Sequence, residues 1–205
     1  MNKNIAIINL GLGNIGSVIN FIKRLDYEPT IITSGEDLKS FNPTHIIMPG
    51  VGAVKQAMQT LINNNFIEPL EYLVMENNCY FCGICLGMQV LSTSSEEFEF
   101  TKCLDWIPGK VIKLDSKGLS LPHMGWNTIN IKNQSSIFSI INNKDMYFAH
   151  SFAMDCPEKY VAATSNYGSD FVSAVEYKNI YGIQSHPEKS SDIGSMFFKN
   201  YLELA

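Results

Sequence analysis

The stretch Gly83-Ile84-Cys85-Leu86-Gly87 decides how the rest of the chain is read. It closes an apolar run, Cys79-Tyr80-Phe81-Cys82, and passes directly into Met88-Gln89-Val90-Leu91, whose character is that of a helix start. Strand, sharp turn and helix follow one another, with one nucleophile-capable side chain at the turn and a glycine two residues to either side. This is the cysteine counterpart of the G-x-S-x-G nucleophile elbow, in which small flanking residues permit a strained turn that lifts the nucleophile clear of the sheet. At that turn the side chain faces a helix N-terminus, whose unpaired N–H groups favour negative charge. A buried structural cysteine in a glycine-rich turn is the plain alternative, and the remaining sequence has to decide between the two.

Outward from the elbow, strand-like and helical patterns alternate. Residues 5–10 and 44–48 read as buried strands, Thr30-Ile31-Ile32-Thr33 as a shorter one, and residues 53–64 and 67–76 as helices. Alternation of this kind on apolar runs predicts an α/β fold, with a mostly parallel central sheet and helices on both faces. After about residue 100 short strand-like runs separated by turn residues take over, at 106–114, 128–131, 146–152, 160–164, 171–177 and 180–184. These predict antiparallel strands at one sheet edge, closed by a final helix from about residue 192 to 204.

The 205 residues, 45% hydrophobic and 17% charged, predict a single domain over residues 1–205. A net charge of -5 gives no basic footprint for nucleic acid. The first apolar run is too short for a signal sequence and no later segment approaches a membrane span, so a cytoplasmic location is expected. Five cysteines without an export signal are expected to be reduced thiols.

Two motifs compete with the elbow for attention. Cys79, Cys82 and Cys85 form C-x2-C-x2-C, but alternation along a strand points Cys79 and Cys82 to opposite faces, so no metal site is expected. Gly11-Leu12-Gly13-Asn14-Ile15-Gly16 is a literal G-x-G-x-x-G between a strand and a helix, which makes a dinucleotide-binding protein a remote alternative. Glu36, twenty residues beyond, falls past the end of the second strand, where a ribose-binding acid would sit.

A cysteine nucleophile acting on an acyl group needs a base, and four histidines are candidates. His45 lies in an apolar strand run. His123, in Pro122-His123-Met124-Gly125-Trp126-Asn127, and His150, in Phe148-Ala149-His150-Ser151-Phe152, are polar residues among apolar ones. His186 has Glu188 two residues on, where an extended backbone would place both side chains on one side and let the carboxylate orient the imidazole. Spacing therefore favours Cys85, His186 and Glu188 as the catalytic residues. Gly50 and Gly52, in Pro49-Gly50-Val51-Gly52, allow backbone N–H groups to turn into a site, as an oxyanion hole requires.

Gly83 to Gln89, Pro49-Gly50-Val51-Gly52 and His186-Pro187-Glu188, in this order, resemble the class I (triad) glutamine amidotransferases over nearly the whole chain. Pro122 to Asn127, Ile107-Pro108-Gly109-Lys110-Val111 and Glu188-Lys189-Ser190 are more narrowly similar to the branch of that family that serves histidine biosynthesis. The resemblance implies a flavodoxin-like fold and hydrolysis of glutamine, the small-molecule substrate, by Cys85, His186 and Glu188. It implies an oxyanion hole from Gly50, Val51, Gly52 and Leu86, glutamine binding by Gln89 and Glu97 with Glu96 as the alternative to Glu97, and no cofactor.

It also implies a partner. Ammonia would pass to a separate (βα)8-barrel cyclase/synthase subunit, in a heterodimer, for synthesis of imidazole glycerol phosphate and an aminoimidazole carboxamide ribotide. Asn14, His123, Met124, Trp126 and Lys189 are the residues it places near that interface. The first loop, Leu10 to Gly16, departs from the family pattern, which leaves open a paralogue supplying ammonia to a sugar-modifying partner in surface polysaccharide synthesis.

Overall fold

The computed structural model describes residues 3–132 and 136–204. Strand β1 (Ile5–Ile8) is buried along its whole length, as a strand covered on both faces must be. It is followed by α1 (Gly16–Lys23), β2 (Pro29–Ile32), α2 (Gly35–Phe41), β3 (His45–Gly50), α3 (Val54–Asn63) and α4 (Ile67–Glu71). Ser34 caps α2 by accepting the Asp37 N–H at 3.1 Å, and α3 turns Val54, Ala57, Met58 and Leu61 inward at helical spacing. Helix α4 runs on into a π-helical turn, Tyr72–Glu76, so the stretch predicted as one helix is wound in two ways.

Strand β4 (Tyr80–Cys85) and the one-turn helix α5 (Leu86–Gln89) form the elbow. Then come β5 (Ser94–Ser95), β6 (Thr101–Lys102), β7 (Lys110–Lys113), β8 (His123–Ile131), β9 (Lys144–His150) and β10 (Phe152–Asp155). The chain closes with β11 (Val161–Tyr167), β12 (Ser169–Tyr177), β13 (Ile180–Ile183) and α6 (Ser191–Leu202).

Among the described residues the main sheet has the order β2-β1-β3-β4-β13-β12-β11-β8-β9. The first five strands are parallel, and the other four extend the sheet antiparallel beyond β13. Helices α1 and α6 cover one face with Val18, Phe21, Ile22, Phe197 and Tyr201, while α2, α3 and α4 cover the other with Leu38, Leu61 and Leu70. Cys79 and Phe81 belong to the second of these cores and Cys82 to the first, the opposite-face placement that strand alternation predicts. No helix among the described residues is long and apolar enough to cross a membrane.

The edge differs from expectation in one respect. Strands β7 and β10 do not join the main sheet but pair with each other and with β5 and β6 in a second sheet, ordered β10-β7-β5-β6. Residues 106–109 stay outside any strand, and the single bend at Ser151 moves the chain from one sheet to the other. A period-two pattern says that a segment is a strand but not which strand it pairs with.

His45 is 1% exposed in β3, between the rings of Tyr80 and Tyr201. Burial, reinforced by the Lys3 charge, pushes its pKa down to about 4. Because the folded value lies below the unfolded one, the unfolded chain takes up the proton first. Stability present above pH 6.5 is therefore lost as pH falls toward 4, by about 3 kcal/mol for this residue. His45→Phe keeps the ring packing and should flatten the fall in unfolding free energy between pH 6.5 and 4 by that amount. Urea titrations at the two pH values check this, and parallel curves for both proteins would reject it.

Candidate active site

Cys85 ends β4 with φ 54° and ψ -105°, a backbone conformation that costs a non-glycine residue of order 1–3 kcal/mol. The flanking glycines make that turn sterically feasible. A Cβ on Gly83 would lie 2.2 Å from the Gly87 carbonyl oxygen, and one on Gly87 would lie 1.8 Å from the Met48 carbonyl oxygen. The elbow is thus wedged against β3, and the first residue of α5, Leu86, carries an N–H outside the helix's own ladder.

His186 and Glu188 follow β13. Their side chains meet, Nδ1 to Oε1 at 2.8 Å, with both nearly buried. The backbone between them is not extended as predicted: Pro187–Lys189 is a 3-10 turn begun by the proline, whose fixed φ suits a helical first position. Burial works to lower the His186 pKa, but the Cys85 sulfur and the Glu188 carboxylate together outweigh it and hold the imidazole up at about 10. The resting imidazole is therefore charged at neutral pH. Its Nε2 makes no hydrogen bond of good geometry among the described residues, although Cys85 is near enough to shift its titration.

A cleft of about 330 Å³ opens beside Cys85, with Gly52, Gln89, Glu97, Phe98 and His150 among its walls. His186, Glu188 and Gly50 lie instead around a small cavity of about 20 Å³ beneath the first loop, and Val51 borders both spaces. The Gln184 amide nitrogen sits 3.5 Å from the Cys85 sulfur.

Gln89 Nε2 donates to the Phe152 carbonyl at 2.9 Å and to Gln184 Oε1 at 3.1 Å, so only its oxygen is free to face a ligand. Glu97 Oε2 accepts the Val54 N–H at 2.9 Å, at the start of α3, and the carboxylate borders the cleft. Glu96 points away and pairs with Lys110 at 3.0 Å on the surface. Of the two glutamates, Glu97 is the one brought to the cleft.

Two expectations need correction. The Val51 N–H, expected as an oxyanion donor, is engaged by the Leu12 carbonyl at 3.3 Å, because the first loop, which leaves β1, packs on the turn that follows the neighbouring strand β3. His123, expected at a partner surface, is 2% exposed: its ring stacks on Phe148 and Tyr167 and its Nδ1 lies 3.1 Å from His150 Nε2. Inward alternation on β8 puts it there. The other expected interface residues are exposed: Met124 63%, Trp126 54%, with Asn14 and Lys189 also at the surface. The Lys189 ammonium lies 5.5 Å from the Tyr147 ring centroid, and Trp126 meets the same ring edge-on.

The G-x-G-x-x-G loop has another use. A Cβ on Gly13 would lie 2.5 Å from a Val51 methyl, and Glu36 sits in the first turn of α2 beyond β2, so the glycines serve the approach of this loop to Val51. Sequence reasoning missed Gln184, whose signal was a buried amide two residues before the histidine at the end of an apolar strand. It also missed Phe98, which nothing but its neighbourhood to Glu97 marks.

Comparison with known proteins agrees with this geometry. The model of the family described as glutamine amidotransferase class-I matches residues 6–204. The chain is 43% identical to imidazole glycerol phosphate synthase subunit HisH 2 of Vibrio vulnificus, over 97% of this chain and 94% of that protein. It is 39% identical to subunit HisH of Bdellovibrio bacteriovorus, over 98% and 100% of the two chains. A crystal structure of a glutamine amidotransferase superposes with a TM-score of 0.75 at 15% identity, covering 96% of this chain and 98% of that one, a likeness of fold.

Proposed function

This chain belongs to the class-I glutamine amidotransferase family, and from that membership we propose that it is the glutaminase subunit of an imidazole glycerol phosphate synthase. It hydrolyses glutamine to glutamate and ammonia for histidine biosynthesis. The observation that carries the reading is the strained Cys85 elbow next to a charged His186 held by Glu188, in a chain with HisH relatives along nearly its whole length. The unit is a single amidotransferase domain over residues 1–205, at work in the cytoplasm.

The Cys85 thiolate adds to the side-chain carboxamide carbon of glutamine. Leu86 N–H, joined by the Gly52 N–H of the Gly50 to Gly52 turn, stabilises the oxyanion by roughly 3–4 kcal/mol per donor. His186 gives its Nε2 proton to the nitrogen as the C–N bond breaks, and ammonia leaves. Neutral His186 then takes a proton from water, the hydroxide adds to the thioester carbon, and the C–S bond breaks to release glutamate and restore the thiolate. The free oxygens of Gln89 and Glu97 are acceptors, suited to the α-ammonium group of the substrate.

Glu97→Ala should therefore raise the KM for glutamine by about 10- to 100-fold, the loss of a charge-assisted hydrogen bond. Glu96→Ala, on the surface, should leave it within about twofold. Steady-state kinetics on both variants would reject the assignment if the two effects were equal or reversed.

Ammonia in neutral water is mostly ammonium and cannot act as a nucleophile, so its release has to be coupled to an acceptor site elsewhere. That site belongs to a HisF-like (βα)8-barrel cyclase in a heterodimer, docking on the exposed side chains of Asn14, Met124, Trp126 and Lys189. The test is glutaminase activity of the chain alone, with the histidine-pathway cyclase plus its ribotide ligand, and with a sugar-modifying synthase. Activity should be weak alone and rise on the order of 100-fold with the cyclase and ligand. Full activity alone, or activation by the sugar enzyme only, would overturn the reading.

A further inference from the structure

Two buried histidines, His150 in the wall of the cleft and His123 behind it, fix one another's protonation. His150, at the end of β9 and 5% exposed, has its Nδ1 2.9 Å from the Phe152 carbonyl oxygen, which can only accept, so Nδ1 carries the proton. Burial pushes the His150 pKa down to about 4, so the ring is neutral and its Nε2 is an acceptor. His123 Nδ1, 3.1 Å away, is then the donor, which leaves His123 Nε2 to accept from the Asn127 amide at 3.3 Å. Asn127 is oriented in turn, donating to the Asn166 carbonyl at 2.7 Å and accepting the Thr128 N–H at 2.8 Å. Every donor in this series meets an acceptor in one tautomeric arrangement.

The series ends at the chemistry. The Phe152 carbonyl that His150 holds also receives Gln89, Gln89 holds Gln184, and Gln184 reaches the Cys85 sulfur. His123 itself touches neither the cleft nor Cys85. We propose that His123 is a positioning residue of the glutaminase site: from β8 it holds His150 in the Nδ1–H form, and through Phe152, Gln89 and Gln184 it sets the ligand-facing oxygen of Gln89 and the surroundings of the nucleophile. This rests on the glutaminase reading of the cleft.

Packing and hydrogen bonding at position 123 can be separated. His123→Phe keeps a ring between Phe148 and Tyr167 but has no donor, whereas His123→Asn keeps a donor near the former Nδ1 but loses the stack. On the chain bound to its cyclase, His123→Phe should lower kcat/KM for glutamine about tenfold, the worth of one hydrogen bond, with little change in Tm. His123→Asn should lower Tm and keep kcat/KM within about threefold. Long-range 1H–15N spectra of the full chain should show both wild-type rings as Nδ1–H tautomers, and the His150 Nε2 resonance shifting in His123→Phe as it loses its donor. Nε2–H tautomers in the wild type, a fully active His123→Phe, or activity that follows Tm across the pair would overturn the proposal. A wild-type complex that hydrolyses no glutamine would instead sink the underlying reading, and the tautomer spectrum, which needs no substrate, would still uphold or overturn the relay.

Discussion

Replacing Cys85 with alanine should reduce glutamine hydrolysis by at least about 10⁴-fold, since the nucleophile and base act as one unit whose members cannot be removed singly without losing most of the rate. Alanine keeps the strained φ, so stability should change little. Cys85→Gly should be equally inactive and more stable by about 1 kcal/mol, because glycine adopts positive φ without the steric cost. The pair separates chemistry from folding: activity falls in both, while thermal unfolding moves only in the second.

A thiol-directed diazoketone analogue of glutamine tests the same assignment in the unaltered chain. Burial pushes Cys79 up to about 12, Cys82 higher still, and Cys156 up to about 11, so these remain unreactive thiols at pH 8. Cys103 is likewise raised by burial. Mass spectrometry should find one adduct, on Cys85. An adduct on Cys79 or Cys82, or a Cys85→Ala protein that still turns over, would remove the nucleophile from this account.

The second large effect is on folding. A Cβ at Gly87 would lie 1.8 Å from the Met48 carbonyl oxygen, and that oxygen belongs to the backbone of a central strand that cannot give way alone. Gly87→Ala should therefore cost about 4 kcal/mol or more, which in a chain of this size is a fall in Tm of roughly 10 °C or greater. Gly11→Ala is the control. Gly11, unlike Gly87, has positive φ, but nothing lies within 4 Å of its would-be Cβ, so only the backbone term of about 1 kcal/mol should appear. Denaturant titrations compare the two. Equal losses would mean that the contact between α5 and β3 is soft, and that the elbow is not wedged in place as described.

The parallel half of the fold was legible because its signals are local. Apolar runs of strand length, helical spacing in α3 and the glycines around Cys85 each say what their own segment does, and the opposite facing of Cys79 and Cys82 follows from period two alone. The antiparallel half was legible only as strands. That β10 pairs with β7 while β9, one residue earlier, pairs with β8 depends on partners between 15 and 45 residues away, which no segment encodes by itself.

The site divides in the same way. Cys85, His186 and Glu188 could be proposed from spacing, though the 3-10 turn that joins the last two could not be told from an extended pair. Glu97 could not be separated from Glu96, because the choice is made by Val54 and Lys110 from other elements. His123 was misplaced for a related reason: its ring is covered by Phe148 and Tyr167, and its hydrogen bond comes from β9.

Strand β8 carries His123 and Asn127 on the side of the buried relay and shows Met124 and Trp126 to solvent. Alternation makes the two sets independent in kind and inseparable in phase. A lineage could rewrite Met124 and Trp126, the residues proposed to face a partner, while leaving the inner set intact. It could not add or drop one residue within the strand between the two sets, because that would exchange inside for outside and disturb the proposed recognition and catalysis together. The identity of the outer residues is thus open to drift, while the number of residues within the strand is not.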